Sequence, residues 1–236
     1  MDQARELAQR LGWPLCQQVE GHPLVLIVDE QGLALSRPGE AEKPLRVDFG
    51  NRQLAWRLRQ GARQEALNKA VGLSKNADLS VLDATAGLGR DSFLMAAIGG
   101  RVRALERHPV LHCMLQAALK QAALEPELAE IAERIELLET DSLDWLAAQA
   151  AGRVDVIYLD PMFPARDKSA RVKKDMQILH QLLGPGDNAD ALLEAALDVA
   201  GKRVVVKRPR LAPVLAGRTP SHQLTGRSSR FDVYAR

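Results

Sequence analysis

The sequence predicts an α/β fold built around a doubly wound, mostly parallel sheet that ends in an antiparallel C-terminal hairpin. Short apolar runs recur between residues 80 and 207, and stretches with helical spacing of apolar residues separate them. A glycine-rich turn follows the first of these runs. Because strands that alternate with helices usually form a parallel sheet, we expect ligands to bind at the carboxyl ends of the strands.

The first 50 residues differ from the rest of the chain. Two short apolar runs flank Glu30, Gln31 and Gly32, a pattern that predicts a β-hairpin, and residues 44–49 can add a further strand. Residues 51–73 then contain two helical stretches that break near Gly61. We therefore expect a small strand-rich α/β module over residues 1–50 and one larger domain over residues 51–236.

The larger domain begins with the regular alternation. The predicted strands are residues 80–85, 101–106, 134–139, 154–159 and 202–207. Helices are predicted to begin at Ser92, at Pro109 and at Asp190, and the proline suits a first helical turn because its φ angle is already helical. The closing segment predicts the antiparallel hairpin, with its turn at Gly226.

Composition limits the class of protein. Apolar residues make up 46% and charged residues 26% of the 236 residues, as in ordinary globular proteins. Two cysteines make no disulfide framework, no apolar signal segment opens the chain, and no run approaches the roughly 18 apolar residues of a membrane span. We expect a cytoplasmic protein without membrane contact and without an obligate protein partner.

The strongest local motif is DATAGLGRD, residues 83–91, which follows a strand and opens a helix. A nicotinamide enzyme would carry G-x-G-x-x-G here, but the third glycine position, counted from Gly87, is Ser92. An acid at the strand end, Asp83, suits a cofactor with a cationic amino group better than it suits a pyrophosphate. S-adenosylmethionine (SAM) is such a cofactor.

Two further acids end the next two strands. Glu106 follows the second strand, where a carboxylate can accept hydrogen bonds from both hydroxyls of a ribose. Asp141 and Ser142 follow the third strand and can bind the edge of an adenine. With these acids on one rim, residues 83–91 resemble motif I of class I methyltransferases, which have a Rossmann-like sheet. Thr85 stands where many members have their first glycine.

The segment Asp160-Pro161-Met162-Phe163-Pro164 follows the fourth strand. It resembles the Asp/Asn-Pro-Pro-Tyr/Phe signature of methyltransferases that modify amino groups on bases, with Met162 in place of the second proline. An exocyclic amine is a poor nucleophile, so a carboxylate beside its N–H groups can draw the nitrogen toward a tetrahedral geometry. Pro161 restricts the turn, and Phe163 can stack on the base. These residues are the predicted catalytic group.

Basic residues concentrate in the last third of the chain. Residues 161–236 contain 14 Lys or Arg against 7 Asp or Glu, whereas residues 1–160 contain 18 against 23. A basic surface beside the active site fits a phosphate backbone, although charge alone is equally consistent with a solvated surface helix. The predicted RNA-binding residues are Arg166, Lys168, Arg171, Lys173, Lys174, Lys207 and Arg208.

Five segments together resemble one family: DATAGLGRD, RALERHPV, YLDPMFP, KSARVKK and KRVVVKRP. Over about residues 50–236 the chain resembles the bacterial 16S ribosomal RNA guanine-N2 methyltransferase J family. The resemblance implies SAM as methyl donor, with S-adenosylhomocysteine as product, and 16S ribosomal RNA or the small ribosomal subunit as partner. Together with the motif arguments above, it predicts cofactor contacts at Asp83, Gly87, Arg90, Asp91, Glu106, Arg107, Asp141, Ser142 and Asp160.

Other functions stay open at this point. The acceptor can be an adenine or cytosine amino group in DNA, or another RNA. From other classes, a nucleotide-cofactor oxidoreductase and a non-catalytic RNA-binding module also fit parts of the pattern. His108 and His112 lie four residues apart on a predicted helix, but the sequence supplies no third convergent ligand, so we expect no metal site.

Overall fold

The computed structural model of the protein describes residues 2–39, 43–59, 61–162, 174–184, 188–226 and 229–236. The N-terminal part contains α1 (Asp2–Leu11), β1 (Val25–Asp29), β2 (Gly32–Ser36) and β3 (Leu45–Arg46). These strands form a separate antiparallel sheet in the order β1-β2-β3. The predicted hairpin is confirmed, since Asp29 pairs with Gly32 across its turn. That residues 1–50 are a domain of their own stays a prediction.

The remaining elements include every predicted strand and the predicted helices, together with short helices at residues 129–133 and 142–147 that the sequence pattern did not predict. The helices are α2 (Arg52–Arg59), α3 (Ala66–Val71), α4 (Arg90–Ala96), α5 (Pro109–Ala122), α6 (Ala129–Glu133), α7 (Ser142–Ala147), α8 (Lys174–Leu183) and α9 (Ala189–Val199). The strands are β4 (Ser80–Asp83), β5 (Arg101–Glu106), β6 (Ile135–Glu139), β7 (Val154–Leu159), β8 (Ala200–Pro209), β9 (His222–Thr225) and β10 (Ser229–Ala235). Two short 3-10 helices occupy Ala62–Gln64 and Leu215–Gly217.

These seven strands form one sheet in the order β6-β5-β4-β7-β8-β10-β9. Strands β4 to β8 pair in parallel, and β10 pairs antiparallel with both β8 and β9. The mostly parallel sheet and the C-terminal hairpin are therefore confirmed. The order reverses at β4, so the chain crosses to the opposite side of the first strand between β6 and β7. A crevice at the carboxyl ends of the strands is expected at such a point.

Side chains alternate across the strands and form two core layers. On β7, Val156 and Tyr158 join one cluster, which also takes in residues of α3, α4 and α5. Ile157 and Leu159 join the other, which is completed by residues of α7 and α9. The buried apolar runs read from the sequence are thus strands covered on both faces.

A third cluster joins the N-terminal sheet to the rest of the molecule. Leu33, Leu35 and Leu45 pack with residues of α5 and with Ile178 and Leu179 of α8. This contact brings the N-terminal residues to the same end of the sheet as the strand tips. Within the described parts of the chain, no helix is both long enough and apolar enough to cross a membrane.

Candidate active site

A cavity of about 1370 Å³ lies at the carboxyl ends of β4, β5 and β7. The ends of these strands and the loops that follow them supply several of its charged side chains. All of the predicted cofactor contacts line it: Asp83, Gly87, Arg90, Asp91, Glu106, Arg107, Asp141, Ser142 and Asp160. Pro161, from the predicted catalytic group, lines the same cavity. The parallel order of the strands explains this convergence, because it places successive carboxyl ends at one edge.

Asp83 ends β4 and is almost fully buried. Its carboxylate accepts hydrogen bonds from the Thr85 backbone N–H at 3.1 Å and from the Ser92 hydroxyl. Burial raises the pKa of Asp83 to about 7, and these two hydrogen bonds offset only part of that effect. A cation in the cavity would favour the ionised form of this carboxylate.

Glu106 ends β5 and is fixed by backbone donors. Its Oε2 accepts from the Gly87 N–H at 2.9 Å, and its Oε1 accepts from the His108 N–H at 2.7 Å. Burial raises the pKa of Glu106, while both hydrogen bonds act against that rise. The carboxylate therefore keeps one orientation, and each oxygen has a remaining lone pair directed away from its backbone donor.

Asp141 and Ser142 follow β6 at the start of α7. The Asp141 carboxylate caps the helix by accepting from the Leu143 N–H at 2.8 Å, and it also pairs with Arg107 at 3.3 Å. The Ser142 hydroxyl donates to the Ala84 carbonyl at 2.6 Å. Both side chains thus have structural partners at the rim, and a hydroxyl or carboxylate oxygen still has capacity to accept further hydrogen bonds.

Asp160 follows β7, and its backbone is tied to the β4 loop. The Asp160 N–H donates to the Thr85 hydroxyl at 2.6 Å. Its side chain is 36% exposed, which leaves the carboxylate accessible to a molecule in the cavity. Thr85, which stands where many relatives have a glycine, therefore joins the two loops through a hydrogen bond that a glycine cannot make.

Asp91, in the first turn of α4, is a further acid close to Asp83 and Asp160. It accepts from the Tyr158 hydroxyl at 2.6 Å and from Lys207 Nζ at 2.7 Å. Burial opposes ionisation of Asp91, but the charge and hydrogen bond of Lys207, together with Tyr158, outweigh it and lower its pKa. Arg90, its neighbour, is more exposed and pairs with Asp175 of α8 at 3.1 Å.

Two of the predicted RNA-binding residues occupy unexpected places. Lys207 lines the cavity, where its ammonium contacts Asp91 and Asp160. Arg208 is buried, and its guanidinium donates to the Pro213 carbonyl at 2.7 and 3.1 Å. Lys207 thus faces the acids of the cavity and Arg208 a backbone carbonyl, and RNA contact by either residue stays a prediction.

The structure does not describe the side chains of the remaining predicted RNA-binding residues or of the predicted catalytic residue Phe163. Phe163, Arg166, Lys168, Arg171 and Lys173 lie outside the described residues. Lys174 begins α8, but its side chain is outside the description. Their roles stay predictions.

Several cavity residues were missed by the motif analysis. Tyr158 has the pattern of an ordinary core residue on a buried strand. Before the first motif, Asn51 and the α2 residues Leu54 and Arg57 also line the cavity. The N-terminal module adds a further wall, formed by Lys43, Pro44, Leu45, Arg46 and Asp48. No local signal marks these residues, because they reach the cavity only through packing of distant segments.

The histidine pair has structural partners. His108 Nδ1 accepts from the Val110 N–H and caps α5, while His112 contacts Arg10 and Glu139. Across the described ranges, no group of three or more His, Cys, Asp or Glu side chains is arranged to hold a metal ion.

Comparisons with known proteins agree with this geometry. A family model of SAM-dependent methyltransferases matches residues 6–236. A protein from Thioalkalivibrio sulfidiphilus named ribosomal RNA small subunit methyltransferase J is 48% identical over 236 residues, covering 99% of this chain and 92% of that protein. Its namesake from Marinobacter nauticus is 45% identical over 239 residues, covering 98% and 86%.

A solved structure extends the comparison to the fold. The crystal structure of a SAM-dependent methyltransferase from Neisseria gonorrhoeae has a TM-score of 0.76 and 35% identity, covering 100% of this chain and 92% of that one. The chain therefore has the Rossmann-like class I fold and belongs to the SAM-dependent methyltransferases, within the ribosomal RNA small subunit methyltransferase J family.

Proposed function

We propose that this enzyme transfers a methyl group from SAM to the exocyclic 2-amino group of a guanosine in 16S ribosomal RNA. One observation carries the proposal: the Asp160 turn and the acids Asp83 and Glu106 line a single cavity. The relatives named ribosomal RNA small subunit methyltransferase J support RNA of the small subunit as substrate. The guanine 2-amino group is what the family resemblance of the five motifs implies.

The residues of the cavity fit SAM as cofactor. Asp83, Glu106 and Asp141 form an acidic rim that would repel a pyrophosphate but suits a cationic amino group and sugar hydroxyls. Asp83 would hold the amino group, Glu106 the ribose hydroxyls, and Asp141 with Ser142 the adenine edge. When bound, the cofactor supplies a methyl group already activated by a sulfonium.

Asp160 would bind the acceptor. Its carboxylate would accept hydrogen bonds from the amino group and draw the nitrogen lone pair away from the ring. Pro161 restricts the backbone of the turn. Phe163 would stack on the base, a contact worth about 1–3 kcal/mol. Catalysis then depends mainly on holding the reacting atoms about 3–3.5 Å apart and in line.

The RNA backbone would bind beside the cavity. The basic residues from Arg166 to Lys174 follow the Asp160 turn directly in sequence. We propose that Arg166, Lys168, Arg171, Lys173 and Lys174 contact phosphates. This contact would make RNA binding weaken as salt increases.

Two measurements test the proposed function. Calorimetry should show binding of S-adenosylhomocysteine and no binding of NAD. Purified enzyme should transfer tritiated methyl to ribosomal RNA from cells that lack the gene, and nucleoside analysis should find the label in N2-methylguanosine. Label in methylated adenosine or cytidine would overturn the guanine assignment, and NAD binding alone would favour an oxidoreductase.

Asp160→Ala should reduce methyl transfer by about 100-fold or more, because the acceptor loses the group that polarises its amine. The variant should remain folded, and its affinity for S-adenosylhomocysteine should fall far less than its turnover, because the cofactor contacts proposed for Asp83, Glu106 and Asp141 are retained. The matched control is Asp198→Ala, which removes an exposed carboxylate that does not line the cavity. Full turnover by Asp160→Ala would exclude the proposed role.

A further inference from the structure

Lys207 lies on β8, between two loops of the cavity. Its Nζ is 2.7 Å from Asp91 Oδ2 and 2.8 Å from Asp160 Oδ2. The Lys207 side chain is 30% exposed and lines the same cavity as the Asp160 turn. One cation thus bridges the start of α4 to the loop that follows β7.

The bridge uses one oxygen of Asp160. Lys207 contacts Oδ2, and among the described residues no other donor contacts either carboxylate oxygen. The Asp160 N–H is held separately by Thr85. Two fixed points, one on the backbone and one on Oδ2, therefore determine which way the other oxygen, Oδ1, is directed.

Several acidic groups surround the Lys207 ammonium, and their charges bear on the ionisation of Asp160. The groups that face Asp160 and Lys207 are Asp83 at the end of β4, Asp91 on α4, Tyr158 on β7 and, through Asp91, Arg57 on α2. Burial raises the pKa of Asp160, and the neighbouring Asp91 raises it as well; Lys207 lowers it through its charge and its hydrogen bond, so that the net rise is smaller than burial and Asp91 alone would cause. Without the lysine, two close carboxylates would compete for one proton.

We propose that Lys207 is a positioning residue for methyl transfer, which holds Asp160 ionised and turned so that Oδ1 accepts from the acceptor amine. This inference rests on the proposed function of Asp160. In the reaction, the amino nitrogen forms a bond to the methyl carbon while the carbon–sulfur bond pair stays on sulfur. The nitrogen then loses one proton, which Asp160 Oδ1 accepts and passes to water.

The first test is Lys207→Met, which removes the charge and keeps most of the stem. It should lower kcat by about 100-fold at pH 7 while KM for RNA changes by less than about threefold. Since loss of a nearby cation raises the pKa of a carboxylate, the acidic limb of the pH profile should move up by about one pH unit or more. Raising the pH should therefore restore part of the activity.

Two further variants separate positioning from folding. Lys207→Arg keeps a cation and should recover at least about tenfold of the lost kcat. Lys202→Met is the matched control, because Lys202 lies on the same strand, pairs with Asp155 at 2.9 Å and is 52% exposed. Its activity and pH profile should equal those of the wild type.

A spectroscopic readout is independent of turnover. In protein labelled with 13C at aspartate carboxyls, the Asp160 signal, assigned through Asp160→Asn, should titrate at higher pH in Lys207→Met than in the wild type. If the wild-type enzyme fails to methylate RNA yet this titration shift appears, the proposed function fails and the Lys207–Asp160 coupling stands. An unshifted titration in Lys207→Met, or a loss of its activity that is equal at every pH, would overturn the inference. Where Lys207→Met is poorly folded, the decisive variant is Lys207→Arg, and a kcat more than about tenfold below the wild type in that folded variant would overturn it.

Discussion

At the scale of single residues, the unusual feature of this enzyme is a buried acid with few donors. Among the described residues, the Ser92 hydroxyl and the Thr85 N–H are the two donors that replace the lost hydration of Asp83. Because these two hydrogen bonds do not fully replace hydration, burial raises the pKa of Asp83 to about 7. A cationic amino group beside Asp83 would stabilise the carboxylate, so ligand binding and ionisation of Asp83 should be coupled.

This shift predicts a pH-dependent contribution to stability. The folded pKa of Asp83 lies above its ordinary value of 3.8, so the folded state holds the proton more tightly than the unfolded state. The contribution of Asp83 is therefore largest below about pH 4 and is lost as pH rises through 7, by about 4 kcal/mol in total. Asp83→Asn should remove this dependence.

The measurement is urea denaturation of wild type and Asp83→Asn between pH 4 and pH 8. The free energy of unfolding of the variant should rise relative to wild type as pH increases. Asp198→Asn, at an exposed position, serves as control and should follow the wild type at every pH. Parallel curves for wild type and Asp83→Asn would show that Asp83 ionises normally.

At the scale of elements, the loop between β4 and α4 depends on close packing. A Cβ placed on Gly89 would lie 2.5 Å from Leu115 Cδ1 and 3.3 Å from Phe49 Cζ. Leu115 is buried on α5, and Phe49 stacks on Phe93 of α4 with 4.2 Å between ring centroids. The glycine lets α5 and the segment before α2 approach the loop that carries the cofactor contacts.

Gly89→Ala should therefore lower the free energy of unfolding through two effects. The left-handed φ of 68° costs about 1–2 kcal/mol for alanine, and overpacking against Leu115 adds about 1–3 kcal/mol. Gly152→Ala isolates the first effect, since Gly152 has a φ of 75° and nothing within 4 Å of its Cβ position. Equal losses in the two variants, measured by thermal or urea unfolding, would contradict the packing argument.

Helix α2 also contributes to the cavity. The helix carries Leu54 in the core and Arg57 at the cavity, where Arg57 pairs with Glu65 at 2.6 Å. Arg57 also acts on Asp91 through its charge. A helix that precedes the first motif thus supplies part of the electrostatic environment of Asp91 in the cavity.

At the scale of the whole molecule, the N-terminal sheet and the methyltransferase sheet share a core. Leu35 is fully buried and belongs to the cluster that includes Met114 of α5 and Ile178 of α8. The N-terminal residues also form one wall of the cavity. We propose that the module of residues 1–50 acts as a fixed part of the site and not as an independent attachment.

This arrangement predicts cooperative unfolding. Leu35→Ala should lower the free energy of unfolding by about 2–5 kcal/mol, because it opens a cavity in the shared cluster. Far-UV and near-UV circular dichroism should report one coincident transition. Leu211→Ala, at a side chain that is 81% exposed, should change stability by less than about 0.5 kcal/mol. Two separate transitions would show that the module unfolds by itself.

The amino-acid sequence by itself determined the succession of strands along the chain, the helices α4, α5 and α9, and the acids at the strand ends. Each strand is a short apolar run bounded by turns, and this signal is local. The parallel arrangement then requires that Asp83, Glu106 and Asp160 share one edge of the sheet. The position of these acids could therefore be predicted before any contact was known.

Only the tertiary structure decided what the neighbouring residues do. Lys207 and Arg208 are adjacent on β8, and in sequence both have the pattern of an exposed basic pair. Side chains alternate across a strand, so Lys207 faces Asp91 and Asp160 and Arg208 is buried against Pro213. Which of the two side chains faces the cavity depends on the register of β8 with β7 and β10. That register is set by packing between segments that are far apart in the chain.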